Sequence, residues 1–212
     1  MQSKKDLLAQ SRLYLIIDPN ACKQRSPVSI ARTASASGAD MIQLRDKNAD
    51  KQAILTAAQR LRKALCATRT LFIINDYVDI AKIADSDGLH LGQSDISVRL
   101  ARRILGKDKI IGVSCSTLRQ ARAACEAGAD YIGIGPAFPT ATKPESRPIS
   151  LTAIDAIRRA LDIPFFILGG ITMQNLNLIL SHRIRTIAVC RSICSAGDIR
   201  AATRKMKQAL LN

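Results

Sequence analysis

Eight short apolar runs recur at fairly even spacing along the chain: Leu13–Ile17, Met41–Leu44, Leu71–Ile74, Gly88–Leu91, Ile110–Val113, Tyr131–Ile134, Phe165–Leu168 and Ile187–Cys190. Each is rich in β-formers and nearly continuous in apolar character, the pattern of parallel strands buried on both faces. Amphipathic stretches lie between them, at Val28–Ser37, Ala49–Thr68, Val78–Ala84, Ser97–Leu105, from Leu118 to Glu126, and at Leu151–Leu161, Met173–Leu180 and Gly197–Leu210. In Ser97–Leu105, Leu100, Ala101, Ile104 and Leu105 share one helical face while Arg99, Arg102 and Arg103 fall outside it. Gly-Ala-Asp triplets at Gly38–Asp40 and Gly128–Asp130 place a glycine where a helix ends before a tight turn into the next strand. Eight strand–helix alternations without a linker predict a single-domain (β/α)8 TIM barrel over residues 1–212, residues 1–11 being a short N-terminal extension or helix. An open doubly wound sheet is the structural alternative.

Composition narrows the class more than the chemistry. With 212 residues, 47% hydrophobic and 23% charged, the chain reads as globular. Aromatic residues make up only 3%, which predicts an aliphatic core and leaves few platforms for stacking exposed bases. The net charge of +15 therefore does not select a nucleic-acid partner, since anionic small molecules fit it as well. The six cysteines show no CxxC spacing and there are two histidines, so a Cys/His metal site is not expected. Reduced, mostly buried thiols, no secretory leader and no apolar run long enough for a membrane span predict a soluble cytoplasmic protein. A homo-oligomer is compatible with these features.

In a barrel, functional groups gather at the C-terminal strand ends. After the second run come Gln43, Arg45 and Lys47, two of them one strand period apart; they form either a clamp for a diphosphate-like anion or a solvated charged loop. Asn75 and Asp76 follow the third run, and Gln93 and Asp95 the fourth. Two carboxylates on neighbouring strand ends suit Mg2+, which takes one or two carboxylates and completes its shell with phosphate and water. Each could instead cap the helix that follows it. His90, within the fourth run, reads as a satisfied structural histidine rather than a general base. Ser114, Ser116 and Thr117 after the fifth run offer hydroxyls, with Thr117 placed as a helix cap. Thr140, Thr142 and Lys143 occupy a proline-stiffened loop after the sixth run, Gly169 and Gly170 follow the seventh, and Cys190 and Arg191 end the eighth. Phosphate held by the loops after strands seven and eight is frequent in barrels.

These motifs together resemble the thiamine-phosphate synthase family nearly end to end: QLRDK (Gln43–Lys47), IND (Ile74–Asp76), GLHLGQSD (Gly88–Asp95), GVS (Gly112–Ser114), GADYIGIGPAFPTATK (Gly128–Lys143), GGI (Gly169–Ile171) and AVCRSI (Ala188–Ile193). The resemblance implies a Mg2+-dependent transferase that joins hydroxymethylpyrimidine diphosphate to thiazole phosphate and releases diphosphate. It places Gln43, Leu44, Arg45, Asp46, Lys47, Asn75, Ser114 and Lys143 at the pyrimidine diphosphate, with Arg45, Lys47 and Lys143 supplying the catalytic positive field. It assigns Asp76 and Asp95 to Mg2+, and Thr140, Ala141, Thr142, Gly170, Cys190 and Arg191 to the thiazole phosphate. Two positions depart from the pattern: Thr186 stands where the family often has Gly, and Arg191 where it often has Ser. The nearest enzyme rival is a thiazole tautomerase, which handles thiazole phosphate alone and needs neither the diphosphate clamp nor the carboxylate pair. A basic nucleic-acid-binding protein is the alternative from another class.

Overall fold

Every apolar run becomes a strand: β1 (Leu13–Ile17), β2 (Met41–Leu44), β3 (Leu71–Asn75), β4 (Gly88–Leu91), β5 (Ile110–Cys115), β6 (Tyr131–Ile134), β7 (Phe165–Leu168) and β8 (Ile187–Val189). In the computed structural model, which describes residues 2–141 and 146–212, each strand pairs in parallel with its sequence neighbour and β8 closes onto β1. The result is the (β/α)8 barrel expected, and the open sheet is excluded. Around it lie α1 (Lys4–Gln10), α2 (Pro27–Ser35), α3 (Lys51–Leu65), α4 (Val78–Ile83), α5 (Val98–Leu105), α6 (Leu118–Glu126), α7 (Leu151–Arg159), α8 (Leu176–Leu180), α9 (Arg191–Cys194) and α10 (Ile199–Leu211). Among the described residues no helix is long and apolar enough to cross a membrane.

Alternation along each strand divides the core in two. Tyr14, Met41, Leu71, Ile73, Ile110, Tyr131, Phe166 and Ala188 point inward, and Leu8 from α1 joins them, so the N-terminal helix seals the barrel floor. Residues of opposite parity, among them Leu15, Ile42, Leu44, Phe72, Ile74, Leu89 and Ile132, pack outward against the helices. The interior admits two tyrosines because glycine makes room: a Cβ on Gly112 would lie 2.0 Å from the Tyr131 ring.

Local chemistry sets the helix ends. Asp50, Ser97 and Thr117 accept hydrogen bonds from the backbone N–H groups of Ala53, Leu100 and Gln120, which would otherwise be unsatisfied. Gly38 and Gly128 take φ of +107° and +91° just beyond α2 and α6, a region that suits glycine.

The aspartates that precede even-numbered strands serve the strand alongside. Asp40 accepts from the Arg12 and Leu13 N–H groups at 2.8 and 2.9 Å, Asp87 from Phe72 at 2.9 Å, and Asp130 from Ile111 at 2.8 Å. Each also holds a cation, Lys207, Arg62 and Arg102 respectively. Arg102, off the apolar face of its helix as the periodicity predicts, is thus turned back onto the barrel floor rather than left in solvent.

Candidate active site

All the strand ends open into one cavity of about 900 Å³ at the C-terminal mouth of the barrel. Its wall includes Gln43, Arg45 and Lys47 from β2 and its loop, Asn75 and Asp76 from β3, His90, Gln93 and Asp95 from β4, and Ser114 and Ser116 from β5. The later loops contribute Thr140, Ala141, Arg147, Gly169, Gly170, Cys190 and Arg191. The sequence-predicted residues are therefore brought together, with four exceptions. Leu44 turns outward and packs in the layer between strands and helices. Asp46 accepts from the N–H groups of Asn48 and Ala49 at 3.0 and 3.1 Å, shaping the turn into α3. Both sit off the cavity wall because alternation points their side chains away from Gln43 and Arg45. Thr142 and Lys143 lie outside the described residues.

Asp76 and Asp95 meet side chain to side chain. Neither does the capping work that competes with a metal role. Ser97 caps α5, and the residue preceding α4, Tyr77, makes no side-chain cap. Asp76 instead adopts φ of +61°, with its N–H donating to the His90 carbonyl at 2.8 Å. Asp95 Oδ2 accepts from the Gly92 N–H at 2.6 Å. Lys47 forms an ion pair with Asp76. Burial, then the Asp95 carboxylate, push the Asp76 carboxyl above its ordinary value despite Lys47. Burial opposes ionisation of Asp95 too, but the hydrogen bond from Asp76 and the Gly92 N–H outweigh it and hold that carboxyl low. Two carboxylates crowded together beside one lysine form an oxygen donor pair that suits a hard divalent cation.

Arg45 is anchored by a residue outside the predicted site. Asp18, directly after β1, takes its Nη1 at 2.8 Å, and the two side chains are only 11–12% exposed. The signal was present, since Asp18 ends the first apolar run as Asn75 and Asp76 end the third.

Beneath the cavity runs a chain of hydrogen bonds that links β2 to β5. Gln43 Nε2 donates to the Tyr14 hydroxyl at 2.5 Å, and Tyr14 meets Tyr131 at 2.9 Å. Tyr131 meets His90 Nδ1 at 2.9 Å, and His90 Nε2 meets Ser114 Oγ at 2.8 Å. Burial holds both phenols well above their ordinary range, so they stay protonated. His90 is thus the satisfied structural histidine expected, hydrogen-bonded through both ring nitrogens. With its Nε2 donating to Tyr14, Gln43 keeps its amide oxygen as an acceptor.

On the opposite wall, Gly169 and Gly170 have φ of +96° and +62°. A Cβ on Gly170 would lie 2.3 Å from the Pro139 carbonyl, so this turn admits no side chain. Asn175 holds it, donating from Nδ2 to the Gly170 carbonyl at 2.9 Å and accepting from the Thr172 N–H at 2.8 Å. Arg147 and Arg191 also line the cavity, and neither forms an ion pair among the described residues.

A phosphate-handling (β/α)8 enzyme is the class that this barrel and its cation-lined mouth define. A family model described as thiamine monophosphate synthase matches residues 13–193. The chain is 38% identical over 205 residues to the thiamine-phosphate synthase of Clostridioides difficile, covering 97% of this chain and 98% of that one. It is likewise 38% identical to the Shouchella clausii thiamine-phosphate synthase, over 94% and 96% of the two chains. The solved structure of thiamine phosphate pyrophosphorylase from Pyrococcus furiosus superposes with a TM-score of 0.87 at 33% identity, covering 97% of this chain and all of that one. The chain belongs to the thiamine monophosphate synthase family.

Proposed function

We propose that the protein condenses hydroxymethylpyrimidine diphosphate with thiazole phosphate to give thiamine phosphate and diphosphate. The observation that carries this reading is the Asp76–Asp95 carboxylate pair set on the same wall as Arg45 and Lys47. A tautomerase acting on thiazole phosphate alone has no use for that arrangement.

The reaction breaks the methylene C–O bond of the pyrimidine substrate, and diphosphate leaves with the bonding electrons. The thiazole nitrogen supplies its lone pair to the methylene carbon, and the positive charge ends on the thiazolium. No protein nucleophile takes part, so the protein has to stabilise the departing charge and align the two rings. Arg45, oriented by Asp18, binds diphosphate oxygens as a fork, and Lys47 neutralises the charge that builds on them. Asp76 and Asp95 hold Mg2+, which when bound supplies Lewis-acid stabilisation of the leaving group. The Gln43 amide oxygen, fixed by Tyr14, accepts from the amino group of the pyrimidine, while Asn75 and Ser114 complete its pocket. Thr140, Ala141, the Gly170 turn, Cys190 and Arg191 receive the thiazole phosphate at the other end, and a cavity of about 900 Å³ accommodates both rings together. Six free cysteines accord with the reducing cytoplasm, where we place the protein.

With Mg2+ held by Asp76 and Asp95, a synthase site would bind its product diphosphate more tightly than without it. Thermal unfolding in inorganic diphosphate is expected to shift upward when Mg2+ is present, and much less with either alone. An upward shift with thiazole phosphate, but none with Mg2+ and diphosphate, would favour the tautomerase.

A further inference from the structure

Two of the chain's three tyrosines stand inside the barrel, where the condensation itself requires no phenol. Tyr14 on β1 and Tyr131 on β6 are fully buried, and each meets Phe166 edge to face, with ring centroids 5.3 and 5.7 Å apart. A phenylalanine at either place would keep that packing, and a buried hydroxyl is costly unless it is hydrogen-bonded. What the hydroxyls add is their bonds, and these lead to two residues of the cavity wall, Gln43 and Ser114. The backbone makes room for the chain of bonds at Gly112 and again at Gly133, where a Cβ would lie 2.7 Å from Leu168 and 3.3 Å from the His90 ring.

The Gln43 end decides what the cavity can recognise. Gln43 is buried, and its Nε2 donates to the Tyr14 hydroxyl at 2.5 Å. The amide oxygen is left as an acceptor for the cavity that Gln43 lines. Turned over, the amide would set its oxygen against Tyr14. Tyr14 would then have to give its one proton to Gln43, Tyr131 to supply the proton between the two hydroxyls, and His90 to donate to Tyr131. The amide orientation is thus tied to the protons along the buried chain, which resists its reversal. A glutamine without such a partner could present either edge to a ligand.

We propose that Tyr14 and Tyr131 are positioning residues that set ring selectivity: by holding the Gln43 amide they present an acceptor that takes a pyrimidine bearing an amino group and rejects the same ring bearing an oxo group there. The amino N–H donates to the amide oxygen, whereas an oxo oxygen meets it acceptor to acceptor, with both out of water. Neither tyrosine is on the cavity wall, so each acts through Gln43 and not on the substrate. The assignment rests on the function proposed above, because it takes the pyrimidine diphosphate as the ligand of this wall. It goes further in explaining why the barrel interior carries phenols that diphosphate departure does not need.

The test is calorimetric titration with Mg2+ present and thiazole phosphate absent, so that the ring binds without a partner to react with. The probes are hydroxymethylpyrimidine diphosphate, its analogue with an oxo group in place of the amino group, and inorganic diphosphate. Wild type is expected to bind the amino ring about a hundredfold more tightly than the oxo ring. In Tyr14→Phe, which keeps the aromatic packing, the amide is free to turn. The ratio is then expected to fall to about tenfold or less, while inorganic diphosphate binds as in wild type. Tyr131→Phe leaves Tyr14 against Gln43 but cuts the chain, so its ratio is expected to lie between the two; this variant carries the test if Tyr14→Phe does not fold. Affinity lost by the same factor for both rings, with the ratio kept, would mean that the hydroxyls only stabilise the barrel, and would overturn the assignment. So would a wild-type protein that binds the two rings alike. A wild type that binds diphosphate with Mg2+ but neither ring would overturn the proposed function as well as the ring selectivity.

Discussion

Asp76→Asn is expected to lower kcat by about a hundred- to a thousandfold and to abolish activation by Mg2+, while the protein stays folded. Asparagine is the informative replacement because of the backbone. Asp76 sits at φ +61°, where asparagine is tolerated far better than most side chains, so the fold loses little. The N–H bond to the His90 carbonyl is also untouched by the change. What disappears is one charge of the Asp76–Asp95 pair, and with it the attraction for a divalent cation. Asp76→Ala removes the same charge but adds backbone strain of about 1 kcal/mol, so its unfolding midpoint should fall as well. Circular dichroism and a Mg2+ titration of turnover separate the two effects. If Asp76→Asn keeps wild-type turnover with the same Mg2+ dependence, the carboxylate is not a metal ligand.

Arg45→Ala should reduce kcat/KM for the pyrimidine diphosphate by about a hundredfold or more, because a forked, charge-assisted contact to the leaving group is lost. A structural cost accompanies it. Asp18 would remain largely buried without its cation, and breaking such a pair costs about 3 kcal/mol. Arg45→Lys restores the charge but neither the planar fork nor the Asp18 geometry, so it is expected to recover stability more than turnover. Asp18→Asn keeps the guanidinium and only loosens its orientation, so it should stay above both Arg45 variants. Steady-state kinetics beside thermal unfolding give the order wild type, Asp18→Asn, Arg45→Lys, Arg45→Ala in kcat/KM. Wild-type kcat/KM in the Arg45→Lys protein would mean that the guanidinium fork makes no contact with the leaving group.

Much of this architecture is legible in the chain because barrels reward local reading. Each strand is a short apolar run, each helix carries its own periodicity, and the rule that function gathers at strand ends puts Gln43, Arg45, Asn75, Asp76 and Asp95 on one wall without knowledge of long-range contacts. Elements beyond that rule are not legible in the sequence. The short helix α9 has too few residues to show a period. Tyr14 and Tyr131 read as ordinary core positions, and only barrel closure brings their hydroxyls within 2.9 Å across 117 positions of sequence. The Cys194 thiol likewise reaches the Ile16 carbonyl, 3.5 Å away, only because β8 closes beside β1. Alternation, applied strictly, separates Leu44 and Asp46 from the neighbours that line the cavity.

The net charge divides along the same lines. Arg45 and Lys47 face the cavity and pair with Asp18 and Asp76, whereas Lys207, Arg62 and Arg102 hold the floor aspartates that organise odd-numbered strands. Both groups explain cations without a polyanionic partner.

The most direct measurement is to combine the purified protein with hydroxymethylpyrimidine diphosphate, thiazole phosphate and Mg2+, and to follow thiamine phosphate and diphosphate together. Both products are expected in equal amounts, with neither formed when either substrate is left out. No thiamine phosphate from the folded protein with both substrates and the metal present would contradict it.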